Sequence, residues 1–275
     1  MQQVSVSDLG LDIDQVLQEF DFFRALSDDA LVIVKERFEL LHLDCRDVLM
    51  KQGDDADNVY FVLCGKLRVY ATNTDDEEVV FSYLKRGDTV GEMAALSGHA
   101  RSASVQATRF TVVLRISNED FLEILNSNAE QSVLLSQQLV QRLEASNQRA
   151  AKHRPPRPVM NALGVIPSGG SDVTQAFTKA FTPCLREYKS VFNLTPDILE
   201  EQGFVLQDDK AFTLADRARL AFYLAELELQ YECVLFDAGA TASAWCQFVL
   251  NNVDALIVVA DAQADPALSV VEQYM

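Results

Sequence analysis

The spacing of apolar positions changes character along the chain, and the changes mark out its elements. Residues 8–42 carry a helical spacing, with Leu26-Ser27-Asp28-Asp29-Ala30-Leu31 reading as an N-cap followed by a helix through Leu41. From Asp47 to Ile116 the texture is short β-rich pieces broken by glycine or charged turns. Val59–Leu63, Gly65 and Leu67–Tyr70 predict one hairpin. Val79–Leu84, after the acidic turn Asp75-Asp76-Glu77-Glu78, predicts another. Many short strands at close spacing indicate a β-roll or sandwich. From Asp120 the helical spacing returns, with Val133, Leu134, Leu139, Val140 and Leu143 keeping it to about Ala151.

His153-Arg154-Pro155-Pro156-Arg157-Pro158 cannot continue a helix, because its three prolines lack the amide donor. Beyond it the rhythm is α/β. A strand at about Ala162–Ile166 leads through Pro167-Ser168-Gly169-Gly170-Ser171 into a helix. A helix at about Leu214–Leu229 precedes the strand Cys233–Asp237, and a helix around Thr241–Leu250 precedes Ala255–Val259. Continuous apolar strands alternating with helices predict a mostly parallel sheet covered on both faces. The expected organisation is α+β over residues 1–152, a Pro-rich linker at 153–158, and a Rossmann-like α/β domain over 159–275. Met275 falls inside a helix expected to begin near Pro266, so we expect the α/β domain to be truncated and the chain to be part of something longer.

Charge narrows the function classes. Residues 1–156 hold 16 Lys/Arg against 25 Asp/Glu and residues 157–275 hold 7 against 16, so each part is near −9 of the total −18. A duplex-binding domain needs a basic patch that neither half supplies, which argues against nucleic acid as a partner. The five cysteines (Cys45, Cys64, Cys184, Cys233, Cys246) lack CxxC spacing, and with His42, His99 and His153 as the only histidines no metal site is expected. Buried free thiols, no signal-like N-terminus and no apolar run approaching the ~20 residues of a membrane span lead us to expect a cytoplasmic protein without a transmembrane segment.

The chemistry is concentrated in residues 87–107. A cyclic nucleotide presents a singly charged phosphodiester, a ribose 2′-hydroxyl and a purine. Holding it takes a guanidinium whose fork matches two phosphate oxygens, a carboxylate for the hydroxyl, and a helix N-terminus whose amides face the phosphate. Gly91-Glu92-Met93-Ala94 through Arg101-Ser102-Ala103-Ser104 offers these in order. The stretch resembles the phosphate-binding cassette of cyclic-nucleotide-binding domains, as in catabolite activator proteins and the regulatory subunit of protein kinase A. The resemblance covers about residues 20–150, with Gly53-Asp54 and Gly65 at turns of the β-roll. It implies Glu92 on the ribose, Arg101 and the amides of Met93 and Ala94 on the phosphate, and Ser102 as a further donor, with Gly91 and Ser104 completing the loop. Ala100 stands where many members have proline. The residues alone leave a second role open for Arg101, a structural bridge to Glu92.

Counted from Arg101, Ser146 falls where catabolite activator proteins place a hydroxyl on the adenine amino group, and Asn147 where the partner subunit contributes. The resemblance thus implies cAMP in preference to cGMP, with no other cofactor. The stripe through Leu139 and Leu143 either pairs with its copy in a homodimer, through a helix around 133–151, or packs on the β-roll.

The second half suggests a phosphate loop without its lysine. Ser168-Gly169-Gly170-Ser171-Asp172-Val173-Thr174 is similar to the deviant loop of ParA/MinD-type ATPases at both glycines and the threonine, but has Asp172-Val173 where those have glycine-lysine. Asp237 resembles a Walker B aspartate, or simply caps the next helix. A cyclic-nucleotide domain followed by such a degenerate P-loop-like domain resembles the N-terminal regulatory part of neuropathy target esterase-like patatin phospholipases. The phrases that carry it are Gly164-Val165-Ile166-Pro167, Ala176-Phe177-Thr178 and Ala244-Trp245-Cys246. It implies a serine hydrolase, a phospholipase or lysophospholipase of lipid metabolism, whose G-x-S-x-G elbow lies outside these residues; no catalytic residue is expected here. Association with a membrane surface would then come through that missing catalytic domain. Two other classes stand beside this one. They are a free-standing cyclic-nucleotide sensor whose α/β domain binds a protein, and a catabolite-activator-type transcription regulator, which needs a basic helix-turn-helix where this chain has an acidic α/β domain.

Overall fold

The computed structural model describes residues 1–260 except positions 11, 19, 25, 74–76, 130–131, 134, 138, 142–143, 145–159, 169–173, 205–210 and 239–242. The chain divides into two compact units, residues 1–157 and 158–275.

Unit 1 opens with β1 (Gln2–Val4) and four short helices, α1 (Val6–Leu9), α2 (Ile13–Gln18), α3 (Asp21–Arg24) and α4 (Asp28–Arg37). Ser27 caps α4 by accepting the Ala30 amide, as expected. The helix does not reach Leu41. Phe38 is extended, and Glu39–Leu43 form β2, antiparallel to β1 and to β9 (Thr111–Ser117). Leu40, Leu41, His42 and Leu43 are all buried because β2 lies inside its sheet, and such a short run without alternation reads equally as helix or buried strand.

Two antiparallel sheets follow. With β3 (Val48–Met50), β4 (Asn58–Cys64), β5 (Lys66–Thr72), β6 (Glu78–Lys85), β7 (Thr89–Val90) and β8 (Ser104–Ala107), the orders are β1-β2-β9-β4-β7 and β3-β8-β5-β6. The expected hairpin across Gly65 is therefore not one. β4 pairs with β7 and β9, whereas β5 pairs with β6 and β8. Gly65, at φ 92°, carries the chain from one sheet to the other, and a Cβ there would lie 2.4 Å from Thr111 Oγ1 and 2.5 Å from the Phe110 carbonyl oxygen. The hairpin expected around the acidic turn is β5–β6, paired from Lys66↔Lys85 to Thr72↔Glu78 with a register shift between Val69 and Tyr70.

Side chains of both sheets fill the space between them, among them Leu41, Tyr60, Val62, Leu67, Val105 and Val113. Phe61, on the opposite side of β4, meets Phe22 and Phe23 at 4.8 and 4.7 Å and Phe121 at 6.3 Å. This aromatic cluster roots the N-terminal helices and α6 (Asn118–Ser127) on β4. Cys64 is wholly buried and its thiol is pushed up to about 12, so it stays protonated and inert. Helix α5 (Glu92–Ser97) lies between β7 and β8.

In unit 2 the order is β10 (Ala162–Ser168), α7 (Thr174–Arg186), β11 (Val191–Leu194), α8 (Pro196–Glu201), α9 (Leu214–Gln230), β12 (Cys233–Asp237), α10 (Ala244–Asn252) and β13 (Ala255–Ala260). All strand pairs are parallel and the order is β11-β12-β10-β13. Leu220, Leu224 and Leu227 of α9 and Trp245, Phe248 and Val249 of α10 pack with Ile166 and Phe236. Phe177, Phe181 and Leu185 of α7 pack with Val165, Val191 and Leu235. Adjacent strand residues thus feed separate cores, giving the expected covered parallel sheet. The expected helix near Pro266, the linker at 153–158 and positions 169–173 lie outside the described residues.

Helix α6 is fixed at its start. Ser117 accepts the Asp120 amide, and Asp120 accepts from Ser117 Oγ at 2.6 Å and from Arg37 at 2.5 Å, tying α6 to α4. Burial works against the Asp120 carboxylate, but the hydrogen bonds from Ser117 and Arg37 outweigh it and hold its carboxyl below the usual range. A folded-state pKa below the unfolded one means stability that is present above the unfolded value and lost as pH falls through the folded one. Asp120→Ala should destabilise unit 1 by about 1–2 kcal/mol at neutral pH, the difference shrinking as pH drops below about 4. Urea titrations at the two pH values check this.

Candidate functional site

Strand β7 delivers the chain into Gly91, which holds φ 91° and serves as the N-cap of α5 without a side chain. Glu92 in the first turn is 3% exposed, Ala94 is buried, and Met93 points outward at 62% exposure. Gly98, also left-handed, ends the helix, and after exposed His99 and Ala100 the chain turns back at Arg101.

Arg101 is 5% exposed. One terminal guanidinium nitrogen donates to the Gly91 carbonyl at 3.1 Å and the other to the Asn58 carbonyl at 2.5 Å. The group lies 6.0 Å from the centre of the Tyr60 ring, whose hydroxyl is pushed up by burial with Arg101 opposing. Its main chain is tied as well, since the Arg101 amide donates to Asp54 at 2.9 Å and the Gly53 amide donates to Arg101 at 2.8 Å. These backbone partners fix both the position and the plane of the fork. The described hydrogen bonds of the guanidinium thus go to main-chain carbonyls.

Gly91, Glu92, Met93, Ala94, Arg101 and Ser102 lie in the segment between β7 and β8, and Ser104 opens β8; the structure joins Arg101 to Gly91 across that segment. Ser102 is exposed. Ser104 is buried, and its hydroxyl accepts the Gln52 amide at 3.0 Å, stitching the loop to the turn at 51–54. Ser146 and Asn147 lie outside the described residues. Asp54 and Asn58 are the participants that sequence reasoning missed. They act through main-chain carbonyls, which every residue type possesses, so no side-chain signal marks them.

In unit 2 the path from β10 runs across the sheet to β11, whereas that from β12 runs the other way to β13. The C-terminal ends of β10 and β12 therefore flank a topological switch point, the usual crevice of such sheets. Asp237 stands there, its carbonyl accepting the Trp245 indole N–H at 2.8 Å, and Thr174 is buried at the start of α7. Among the described residues no cluster of His, Cys, Asp and Glu could hold a metal ion, and no helix is long and apolar enough to cross a membrane.

A family model described as the cyclic nucleotide-binding domain matches residues 40–128. A second, the neuropathy target esterase family P-loop like domain, matches residues 160–275. Among curated proteins the chain is 24% identical over 254 residues to Lysophospholipase NTE1 of Coccidioides immitis, covering 86% of this chain and 16% of that protein. It is 25% identical over 257 residues to an uncharacterized NTE family protein of Mycobacterium tuberculosis, covering 94% and 42%. The chain therefore spans less than half of either relative. Among solved structures it is similar to the regulatory subunit of a cAMP-independent protein kinase A from Trypanosoma brucei, at TM-score 0.41 and 22% identity over 45% of this chain and 46% of that one. It is also similar to the sensor domain of the transcriptional regulator DNR from Pseudomonas aeruginosa, at 0.44 and 22% over 52% and 95%.

A Cβ on residue 91 would stand 2.4 Å from the Arg101 guanidinium and 3.0 Å from the Asn58 carbonyl oxygen, in a backbone conformation that side chains disfavour. Gly91→Ala should cost about 1–3 kcal/mol and displace the guanidinium. Thermal unfolding of the variant checks the cost.

Proposed function

We propose that this chain, a cyclic nucleotide-binding domain joined to a neuropathy target esterase family P-loop like domain, is the cyclic-nucleotide-sensing segment of a patatin-like phospholipase or lysophospholipase. The observation that carries the reading is the buried, main-chain-anchored Arg101 beside the N-terminus of α5. An unpaired buried cation is costly, and a guanidinium with two donors on carbonyls has others to offer a phosphodiester. The amides of Met93 and Ala94 and the Ser102 hydroxyl complete the phosphate cradle, and Glu92 takes the ribose hydroxyl. Ser104 supports the loop through Gln52. We favour cAMP over cGMP, on the sequence position of Ser146.

The hydrolase reading draws on the name of the fungal relatives and on the length of those proteins outside the shared region. The catalytic serine then lies in a domain that this chain does not supply. Val133 and Val140, two helical positions seven residues apart, are 55% and 54% exposed, with Ser136 and Gln137 also exposed between them, which favours a homodimer through the helix expected around 133–151. Free Cys64, Cys233 and Cys246 in buried positions suit a reducing, cytoplasmic setting.

Calorimetry with cAMP and cGMP tests the sensing role. Losing one member of a buried charge contact costs about 2–5 kcal/mol, so Arg101→Ala should weaken binding by roughly 30-fold to a few thousand-fold. Arg101→Lys should recover little, because an ammonium cannot reproduce the planar two-pronged fork. Glu92→Gln should lose less, retaining a neutral acceptor. Wild type that gives no heat and no thermal stabilisation with millimolar nucleotide would rule the role out.

A further inference from the structure

Residues 54–57 belong to no helix or strand, and β4 begins at Asn58. Donors from two distant residues share this strut, Arg101 at its two ends and Asn118 between them. The Arg101 amide bonds the Asp54 carbonyl at 2.9 Å, and the Asn118 side-chain amide donates to the Ala56 carbonyl. The Asn118 main-chain amide reaches the Asp57 carbonyl at 2.9 Å, and the Arg101 guanidinium takes the Asn58 carbonyl at 2.5 Å. Asn118 is the first residue of α6, where a helical amide has no acceptor within its own helix, so its bond to Asp57 competes with none. Its side-chain oxygen is buried without a hydrogen-bond partner among the described residues. A buried, half-satisfied amide is a poor filler compared with an apolar residue, and it makes sense if the donor end has a task.

We infer that Asn118 is a positioning residue for the phosphate arginine. By gripping Ala56 and Asp57 it fixes where the Asn58 carbonyl stands, and that carbonyl fixes where the Arg101 guanidinium is held. The inference rests on the reading of Arg101 as the phosphate ligand, and it adds a control on that ligand from α6. Asn118 has no part in the bound nucleotide itself.

A double-mutant cycle on the full chain tests it. Leaving the Ala56 carbonyl unpaired should weaken cAMP binding by about 5- to 100-fold in Asn118→Ala. Asn118→Leu, which keeps bulk without a donor, should lose as much. In the Arg101→Ala background the same change should cost nothing more. In the ligand-free chain, NMR hydrogen exchange at the Gly53 and Arg101 amides should quicken in both Asn118 variants, with Val62 and Val113 unchanged. Additive losses across the cycle, or unaltered exchange at Gly53 and Arg101, would overturn the inference. So would a uniform rise across all four amides, the mark of simple destabilisation. If wild type binds no cyclic nucleotide, the sensing role fails separately, and exchange at Gly53 and Arg101 alone decides whether Asn118 holds the strut.

Discussion

A permanently charged guanidinium under cover is the constraint around which unit 1 is arranged. Burying the Arg101 guanidinium obliges the chain to supply acceptors of fixed position. It supplies main-chain carbonyls from two segments, Gly91 at the head of α5 and Asn58 at the start of β4. Gly91 must then be left-handed and lack a side chain, and the head of α5 must close against β4. The Gly91 carbonyl also accepts the Ala95 amide, so helix and guanidinium share one oxygen. In the function proposed above, a charged ligand arriving at this fork would meet a site already oriented, which is where preorganised binding gains over a mobile side chain.

What the sequence disclosed and what it hid divide along a physical line. The loop from Gly91 to Ser104 was legible because its chemistry sits in side chains on one continuous stretch. The strut at 54–58 was not, because carbonyl acceptors carry no residue identity. β10, β12 and β13 were legible as unbroken apolar runs, whereas β11 is four residues with Asn193 inside it, tied to Thr182 of α7. Leu40 and Leu41 were mistaken for helix because a strand buried on both faces has no alternation to betray it. Gly65 was taken for a hairpin turn because the sequence cannot say which sheet the next strand will join.

The two units treat polar burial differently. In unit 1 several of the buried polar groups are charged, among them Lys66, Glu92, Arg101, Arg109 and Asp120. In unit 2 the buried polar groups are dispersed, with Thr174, Thr178 and Thr182 along the inner side of α7 and Asn252 on α10. Thr182 donates back to the Thr178 carbonyl within its own helix. In the sequence, Asp172-Val173 stand where a phosphate-binding loop of this kind has glycine-lysine. The sheet is retained while the charge suited to a phosphate is not, so its architecture alone does not argue for nucleotide chemistry there.

The thiols have a practical side. Cys64, Cys233 and Cys246 are buried with raised pKa values, and Cys45, half-buried and bonded to the Thr108 carbonyl, is raised as well. Cys184 alone among the five stands exposed, on α7. A maleimide fluorophore added under mild conditions will therefore settle on one native position in the α/β unit. The molecule comes with its own attachment point for distance measurements, and no engineered cysteine is needed to follow that unit while the other is titrated.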